Sequence, residues 1–362
     1  MGFYDMRPEL LLLVAENLSL GDLSSFRSTC HWVWDVLTSR FQKLCLKNRG
    51  RLTILQWAAL RGYAELIELA ILHGVKIDVP LMDPLTLADL GERGKCYKND
   101  HRHPCNLANN DEAYYDDGNT TRRTPLYLAA CCGHADAIEV LLNRGASTQS
   151  PVGTITPAHI AASQGNVACM QTFIHHGFDI NATGFRDNTI LHHAILTGGI
   201  EMMKYILQLK GGQNLVNARS RGGLTPLHKL ACSEIDLDCQ WLKTDLLLQY
   251  GADIYAWDDW GYTPAHQFAA WGMFDCVQVL IDAGFDLQTR AKCGRTILHS
   301  AIYGGEKMVL DLLELEAGMS IINAEDNDGL TALDNAVTYH RETIVDLLSH
   351  HHAQRGSRKK TV

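Results

Sequence analysis

The sequence predicts an all-α solenoid, because one unit of about 33 residues recurs along most of its 362 residues. Each copy opens on a four-residue tetrad that begins with threonine. The eight tetrads begin at Thr53, Thr124, Thr156, Thr189, Thr225, Thr263, Thr296 and Thr331. Repeats of this length stack on their neighbours, so the array is stabilised by contacts between copies rather than by one large core.

Two glycines recur at fixed distances from the opening threonine. The first follows nine residues later, at Gly62, Gly133, Gly165, Gly198, Gly272 and Gly305. The second follows 21 or 22 residues after the threonine, at Gly74, Gly145, Gly177, Gly211, Gly284 and Gly318. Because glycine adopts positive φ without a steric penalty, the first glycine predicts a turn between two helices and the second predicts a helix C-cap.

Residues 124–154 show one complete copy of the unit. Thr124 and Pro125 favour a helix start, since a hydroxyl caps free N–H groups and proline suits the first helical turn. After the turn, a second helix carries an apolar stripe that includes Ile138 and Leu141. This helical pair has one apolar side, which a neighbouring copy must cover.

The tetrads TPLY, TPAH and TPLH, with their period near 33 residues, resemble the ankyrin repeat. The resemblance implies helix-turn-helix repeats with β-turn fingers, which bind protein partners through finger tips and exposed inner-helix positions. It divides the array into repeat 1 at residues 51–82, a degenerate repeat or long finger-loop insertion at 83–122, repeats 2–8 at 123–350, and a basic tail at 351–362.

Residues 1–48 precede the array, and their pattern predicts a small helical module. Pro8 and Glu9 suit a first helical turn, and the segment from Leu10 to Leu18 is apolar on most sides. Exposed apolar surface of this kind marks a partner site. The alternative interpretation is an N-terminal cap, because repeat arrays need a capping element for solubility.

The same segment resembles an F-box, the helical module that binds the Skp-type adaptor of SCF ubiquitin ligases. The matching residues are Met6, Pro8, Glu9, Leu10 and Leu11 at the family's opening, Leu18, Asp22 and Leu23 at its centre, and Cys30 near its end. Val33, between Trp32 and Trp34, stands where the family has tryptophan. The residues expected to bind the adaptor are Pro8, Glu9, Leu10, Leu11, Leu23, Cys30 and Trp34.

Composition excludes several function classes. The net charge of −9 argues against nucleic-acid binding, which needs a basic surface. The eleven cysteines are scattered and a secretory leader is not seen, so free thiols in a reducing compartment are expected. The apolar run from Leu10 to Ala15 is too short to cross a membrane. These features predict a cytoplasmic or nuclear protein without membrane contact, which is a monomer outside its complexes.

No catalytic arrangement and no cofactor are expected, because the sequence has no phosphate-binding loop, dinucleotide fingerprint or zinc-protease pair. The segment with Cys96, His101, His103 and Cys105 has zinc-ligand residue types, but their spacing matches no usual zinc site, so a polar loop is the preferred interpretation. The tetrad histidines are expected to hold their own turns by hydrogen bonds near the threonine. These are His159, His192, His228, His266 and His299.

The expected target-binding positions lie seven and eight residues after each tetrad threonine and on the finger before Thr263. That finger has the sequence DIYAWDDWGY. Exposed aromatic side chains are typical of binding hot spots, although they also pack against each other or against a neighbouring finger. The residues expected to contact the target are Tyr255, Trp257, Trp260, Trp271, Tyr303 and Tyr339. Asp258 and Asp259 favour a basic target.

The sequence therefore predicts a non-catalytic adaptor for protein–protein interaction. The more specific prediction, implied by the two resemblances, is a substrate receptor of an SCF-type E3 ubiquitin ligase that recruits an unidentified target protein through its ankyrin groove. The alternative is a ligase-independent ankyrin scaffold whose N-terminal helices only cap the solenoid.

Overall fold

A computed structural model describes residues 53–72, 74–78, 124–149, 155–231 and 240–357. The expected F-box-like module at residues 1–48 and the insertion at 83–122 lie outside these ranges. The chain divides into two compact units, residues 1–179 and residues 180–362. No strand occurs within the described ranges, so the predicted all-α class is confirmed.

The described residues of the first unit contain three helical pairs. The pairs are α1 (Ile54–Arg61) with α2 (Ala64–Leu72), α3 (Pro125–Cys132) with α4 (Ala135–Asn143), and α5 (Pro157–Ser163) with α6 (Val167–His175). The first helices of the pairs contact one another in sequence order, and the second helices do the same. This makes two layers of helices, as stacking of one-sided apolar helical pairs requires.

The second unit, described by its own helices, has two layers as well. Its first-layer helices are α7 (Ile190–His193), α9 (Pro226–Ala231), α11 (Pro264–Ala270), α13 (Ile297–Gly304) and α16 (Ala332–Thr338). Its second-layer helices are α8 (Gly199–Gln208), α10 (Gln240–Gln249), α12 (Phe274–Asp282), α14 (Glu306–Leu313) and α17 (Glu342–His350), and a short helix α15 (Glu316–Ser320) follows α14.

The local signals in the tetrad produce the helix starts that the sequence predicts. The Thr124 hydroxyl accepts a hydrogen bond from the Tyr127 N–H at 3.3 Å, and Pro125 occupies the first helical turn. Gly133 ends α3 at φ 76°, a left-handed conformation that favours glycine. Ile138 and Leu141 of α4 are fully buried, so the predicted apolar stripe faces the core.

In the second unit, backbone hydrogen bonds join successive fingers at their tips. The bonded atoms are Arg221 N with Arg186 O at 2.8 Å, Asp259 N with Gly222 O at 2.9 Å, Lys292 N with Gly261 O at 2.9 Å, and Asn327 N with Cys293 O at 3.0 Å. Because the backbone groups satisfy one another, the fingers form a continuous ribbon without being strands. These hydrogen bonds fix the position of each finger tip relative to the next finger.

The turn in the fourth repeat differs from the expectation at Gly198. Residues 194–198 form a single π-helical turn, so the positive φ of 76° falls on Gly199 and not on Gly198. A π turn inserts one extra residue into the helical path. The buried Lys243 of α10 donates a hydrogen bond to the Ile195 carbonyl within this turn at 3.3 Å.

The expectation for Gly318 is also wrong. Helix α14 ends at Leu313, and Gly318 lies inside α15 rather than at a left-handed C-cap. An added Cβ at Gly318 would overlap the Leu312 carbonyl oxygen. Glycine is therefore required there because two helices approach closely, and not because of its φ.

Candidate target-binding surface

Five histidines form hydrogen bonds at the starts of their own helices, as the sequence predicts. Each Nδ1 atom lies within hydrogen-bond distance of the hydroxyl of its own tetrad threonine. The pairs are Thr156 and His159 at 2.7 Å, Thr189 and His192 at 2.9 Å, Thr225 and His228 at 2.8 Å, Thr263 and His266 at 2.8 Å, and Thr296 and His299 at 2.9 Å. All five imidazoles are buried.

Four of these histidines also reach the finger of the following repeat, which the sequence did not predict. Nε2 bonds a finger carbonyl in the pairs His192 and Leu224 at 3.1 Å, His228 and Tyr262 at 3.1 Å, His266 and Arg295 at 3.2 Å, and His299 and Leu330 at 3.0 Å. A carbonyl only accepts, so Nε2 carries the proton and Nδ1 is the acceptor. Each ring therefore ties one repeat to the next.

Burial keeps the imidazoles of His228, His266 and His299 neutral. Burial lowers the pKa of His266 to about 4, even though the hydrogen bond to the Arg295 carbonyl acts in the opposite direction. Burial likewise lowers the pKa of His228 and His299. These histidines are structural clamps that position the fingers.

All six residues expected to contact a target are exposed, with relative exposures between 42 % and 64 %. We refer to them as the aromatic surface. Its members are Tyr255, Trp257 and Trp260 on the finger before repeat 6 and Trp271, Tyr303 and Tyr339 at the ends of α11, α13 and α16. Exposed apolar rings in this number are costly unless something covers them.

The finger part of the aromatic surface is held rigidly on one side. The Tyr255 ring stacks on Phe285 with centroids 5.4 Å apart, and its hydroxyl donates to the Gly284 carbonyl at 3.0 Å. The Lys292 ammonium lies 5.4 Å from the centroid of the Trp257 ring, a cation–π geometry. These contacts order two of the rings while leaving about half of each ring exposed.

The other three rings of the aromatic surface lie at the ends of first-layer helices in successive repeats. Tyr303 and Tyr339 lie with centroids 5.1 Å apart, and their planes are tilted by 56°. Burial, assisted by the neighbouring Tyr339, raises the pKa of Tyr303 to about 12, so the phenol stays protonated and can donate a hydrogen bond. Trp271 is the most exposed of the three rings.

The structure corrects two expectations about this surface. Position seven after the tetrad threonine is buried in the first four repeats, at Leu60, Cys131, Ser163 and Leu196, and is exposed at Tyr303 and Thr338 in the last two. Asp258 is also buried: its carboxylate accepts hydrogen bonds from Tyr262 N at 2.8 Å and Gln267 Nε2 at 2.6 Å. Asp258 therefore shapes its own finger and offers no charge to a basic target.

The charges near the aromatic finger are mixed. Arg219 donates from Nη2 to the Trp257 carbonyl at 2.8 Å and lies 3.6 Å from a carboxylate oxygen of Asp259. Arg219 and Trp257, together with Asp253 and Lys292, line a notch of about 420 Å³ between fingers. The sequence alone did not identify Arg219 and Lys292, since their relation to Trp257 depends on contacts 35 or more residues apart in the chain.

A further exposed tryptophan lies on the opposite layer. Trp241 of α10 is exposed, and so is its neighbour Leu242. The sequence signal for this feature is an apolar pair at the start of a second-layer helix. Because Trp241 lies on a second-layer helix, it provides a natural control for experiments on the aromatic surface.

The adaptor-binding candidates from Pro8 to Trp34 and the segment from Cys96 to Cys105 lie outside the described ranges. In the ranges that are described, no cluster of three or more metal-ligating side chains occurs. The same ranges contain no helix with the length and apolar composition needed to cross a bilayer.

The array is similar to several proteins of known sequence. The human transient receptor potential cation channel subfamily A member 1 is 26% identical over 259 residues, which are 59% of this chain and 23% of that protein. The E3 ubiquitin-protein ligase KEG of Arabidopsis thaliana is 26% identical over 255 residues, which are 59% of this chain and 15% of that protein. The chain thus spans less than a quarter of the length of these relatives.

Solved structures show the same fold. The human ASB11 ankyrin repeat domain covers 73% of this chain and 98% of its own length, with a TM-score of 0.51 and 20% identity. The ankyrin repeat domain of Bcl-3 gives a TM-score of 0.50 and 21% identity, with the same coverage of this chain and 99% of its own. Repeat arrays of this kind present extended surfaces that bind other proteins.

The family comparison covers the centre of the array. The family model for ankyrin repeats (3 copies) matches residues 96–184, 147–218 and 191–291. Together these matches extend over residues 96–291, which is more than half of the chain. The tetrads, the two helical layers and these matches agree, and the chain belongs to the ankyrin repeat family.

Proposed function

We propose that this chain is a non-catalytic recognition protein that holds a target protein on its aromatic surface. The observation that carries the proposal is the exposure of six aromatic rings on one finger and on three successive inner helices. Tryptophan and tyrosine are the residues most enriched at binding hot spots, and exposed apolar groups gain free energy when a partner covers them.

Rigidity of the supporting structure favours the same function. The histidine clamps and the finger ribbon fix the positions of the helices that carry the rings. Binding to an ordered surface loses less conformational entropy than binding to a mobile one. The chain would thus supply a preformed surface, and the chemistry of any reaction on the target would belong to other proteins.

Affinity capture with the 362-residue chain tests the proposal. The variant Trp271→Ser with Tyr303→Ser should reduce recovery of the bound target by roughly tenfold or more, because it removes two central rings. The matched control is Trp241→Ser, which removes an exposed tryptophan from the second layer and should leave recovery unchanged. Equal target recovery by the unsubstituted chain, the double variant and Trp241→Ser would contradict the proposal.

We further propose that the target is presented to an SCF-type E3 ubiquitin ligase. The support is the F-box resemblance of residues 1–48, in which Pro8, Leu11 and Leu23 would contact the Skp-type adaptor. The Arabidopsis relative named as an E3 ubiquitin-protein ligase matches through only 15% of its length, so it adds little weight. The contribution of this chain would be proximity between target and ligase.

Two experiments separate this proposal from a ligase-independent scaffold. Replacing Pro8 and Leu11 by glutamate should abolish co-purification with the adaptor and leave target capture intact. Deleting residues 1–45 should give a folded array without the adaptor if the segment is an F-box, but an insoluble or destabilised array if it is a cap. Undiminished adaptor recovery by the Pro8 and Leu11 variant would exclude the ligase proposal.

A further inference from the structure

The residues after the last helix fold back onto the last repeat. Helix α17 ends at His350, and the chain turns at His352, where φ is 61°. Gln354 N then donates to Asn323 Oδ1 at 2.7 Å, and the Thr331 hydroxyl donates to the Gln354 carbonyl at 2.9 Å. We refer to residues 354–357 as the C-terminal strap.

The strap occupies the place that the finger of a further repeat would take. In repeat 5, Asn217 Oδ1 accepts a hydrogen bond from Asp253 N of the next finger at 2.8 Å. Asn323 makes the same contact with Gln354 of the strap. Gly356 packs so tightly that an added Cβ would overlap the Gly329 carbonyl oxygen at the preceding finger.

The tetrad of the last repeat is adapted to this arrangement. Where five other tetrads carry histidine, the last carries Asp334, whose Oδ2 accepts hydrogen bonds from Gly356 N at 2.8 Å and Thr331 N at 3.1 Å. Burial raises the pKa of Asp334, but these hydrogen bonds and Arg355 lower it by more, so the carboxylate is ionised. The strap therefore donates the Gly356 N–H to a carboxylate, where four of the other tetrads bond a finger carbonyl to an imidazole.

The end of the strap is held by a second carboxylate. Ser357 donates from its backbone N to Glu325 Oε1 at 2.7 Å and from its hydroxyl to Glu325 Oε2 at 2.8 Å. The Ser357 side chain is exposed. In the sequence it lies between Arg355 and the basic run Arg358, Lys359 and Lys360.

We propose that Ser357 is a phosphorylation site for a kinase that recognises basic flanking residues, and that its phosphorylation undocks the strap from the last repeat. The Ser357 hydroxyl oxygen attacks the γ-phosphorus of ATP and forms an O–P bond. The bond between that phosphorus and the β–γ bridging oxygen breaks, ADP leaves, and the hydroxyl proton passes to the base of the kinase. Charge patterns around the serine are what such kinases discriminate.

The physical reason for undocking is the position of Glu325. Phosphorylation removes the hydroxyl proton that Ser357 donates to Oε2 and replaces it with a group of charge near −2 beside the same carboxylate. The Arg355 guanidinium lies 3.4 Å from Asp334 Oδ1, so it is already engaged with another anion. Release of the strap would leave Asn323, Glu325 and Asp334 open to a different chain.

The first part of the test is phosphorylation of the intact chain. An arginine-directed serine kinase with ATP should place phosphate on Ser357, as mapped by mass spectrometry, and Ser357→Ala should remove that signal. The proposal is overturned if the intact chain carries no phosphate at Ser357. If the kinase phosphorylates a peptide of residues 350–362 but not the intact chain, the proposal is also overturned. That result would mean that the docked strap keeps the kinase away from Ser357.

The second part measures undocking by amide hydrogen exchange. In the chain phosphorylated at Ser357, the amides of Gln354 and Gly356 should exchange about tenfold faster, while those of α11 stay unchanged. Glu325→Gln should reduce this acceleration, because it removes the opposing charge. Unphosphorylated Ser357→Ala should stay docked, since its backbone N–H still reaches Glu325. Unchanged protection at Gln354 and Gly356 after phosphorylation would overturn the proposal.

Discussion

At the scale of single residues, the tetrad histidines account for both the local turn and the link to the next repeat. Nδ1 of His299 accepts hydrogen bonds from the Thr296 backbone N at 3.2 Å and lies 2.9 Å from its hydroxyl, while Nε2 donates to the Leu330 carbonyl. One side chain thus satisfies polar groups of two repeats. The sequence of a single tetrad indicates only the hydrogen bonds of the local turn, and not the link to the next repeat.

Replacing His299 by leucine should lower the free energy of unfolding by about 3 kcal/mol, because it leaves buried polar partners without hydrogen bonds. Urea denaturation of the two proteins measures the difference. The control is His350→Leu at the exposed end of α17, which should change stability by less than about 0.5 kcal/mol. Similar losses for the two variants would contradict the clamp.

Acidification should destabilise the protein through the same residues. The pKa of His266 is about 4 in the folded chain and about 6.5 in an unfolded chain, so the unfolded state binds more protons between these values. Stability is therefore complete above about pH 6.5 and is lost as the pH falls towards about 4, by roughly 3 kcal/mol for this group. The shifts of His228 and His299 have the same sign.

Urea denaturation across this pH range tests the linkage. The unfolding free energy of the natural chain should fall more steeply with acid than that of His266→Gln, because the variant lacks the group that titrates. The carboxylates common to both proteins cancel in the comparison. Parallel pH profiles would show that His266 does not carry the linkage.

At the scale of helices, glycine acts in two physically distinct ways. Gly284 after α12 has φ 95° with no atom close to an added Cβ, so only its backbone conformation requires glycine. Gly272 after α11 has φ 72°, and an added Cβ would also lie 2.7 Å from the Gly304 carbonyl oxygen of α13. The second glycine therefore permits close approach of neighbouring repeats.

This difference predicts unequal costs for one chemical change. Gly284→Ala should destabilise the chain by about 1 kcal/mol, the cost of a left-handed alanine. Gly272→Ala should cost about 3 kcal/mol, because it adds a steric overlap with backbone that cannot move freely. Thermal or urea denaturation compares the two variants, and equal losses would mean that the contact with Gly304 relaxes without cost.

At the scale of the whole molecule, stability and the proposed binding depend on different faces of the same repeats. Phe268 and Trp271 belong to one repeat, at the end of α11 and just beyond it, and are three residues apart. Phe268 is fully buried, whereas more than half of Trp271 is exposed. The inward face stacks repeats, and the outward face is available to a partner.

Replacing Phe268 or Trp271 by alanine should distinguish the contribution to stability from the contribution to target binding. Phe268→Ala should lower the free energy of unfolding by about 4 kcal/mol, and faster hydrogen exchange should extend to α9 and α13, which pack on α11. Trp271→Ala should change stability by less than about 0.5 kcal/mol while weakening target capture. Destabilisation of similar size in both variants would show that Trp271 packs within the array.

Much of the fold could be predicted because its signals are local. The Thr124 cap, the Gly133 turn and the pairing of Thr296 with His299 involve residues only three to nine positions apart, and the structure shows all of them. The same periodicity placed the rings of the aromatic surface at exposed positions. The register of short motifs is sufficient for such predictions, since each helix start depends on its own first turn.

The sequence by itself thus determined the repeat, its helix starts and turns, and which aromatic rings face outwards. Only the tertiary structure decided that Asp258 is buried, that Lys243 bonds the Ile195 carbonyl at the π turn, and that the strap is held by Asp334. The last two contacts join residues 48 and 22 positions apart. Their energies depend on the desolvation and distance that stacking creates, and these quantities have no periodic signal in the chain.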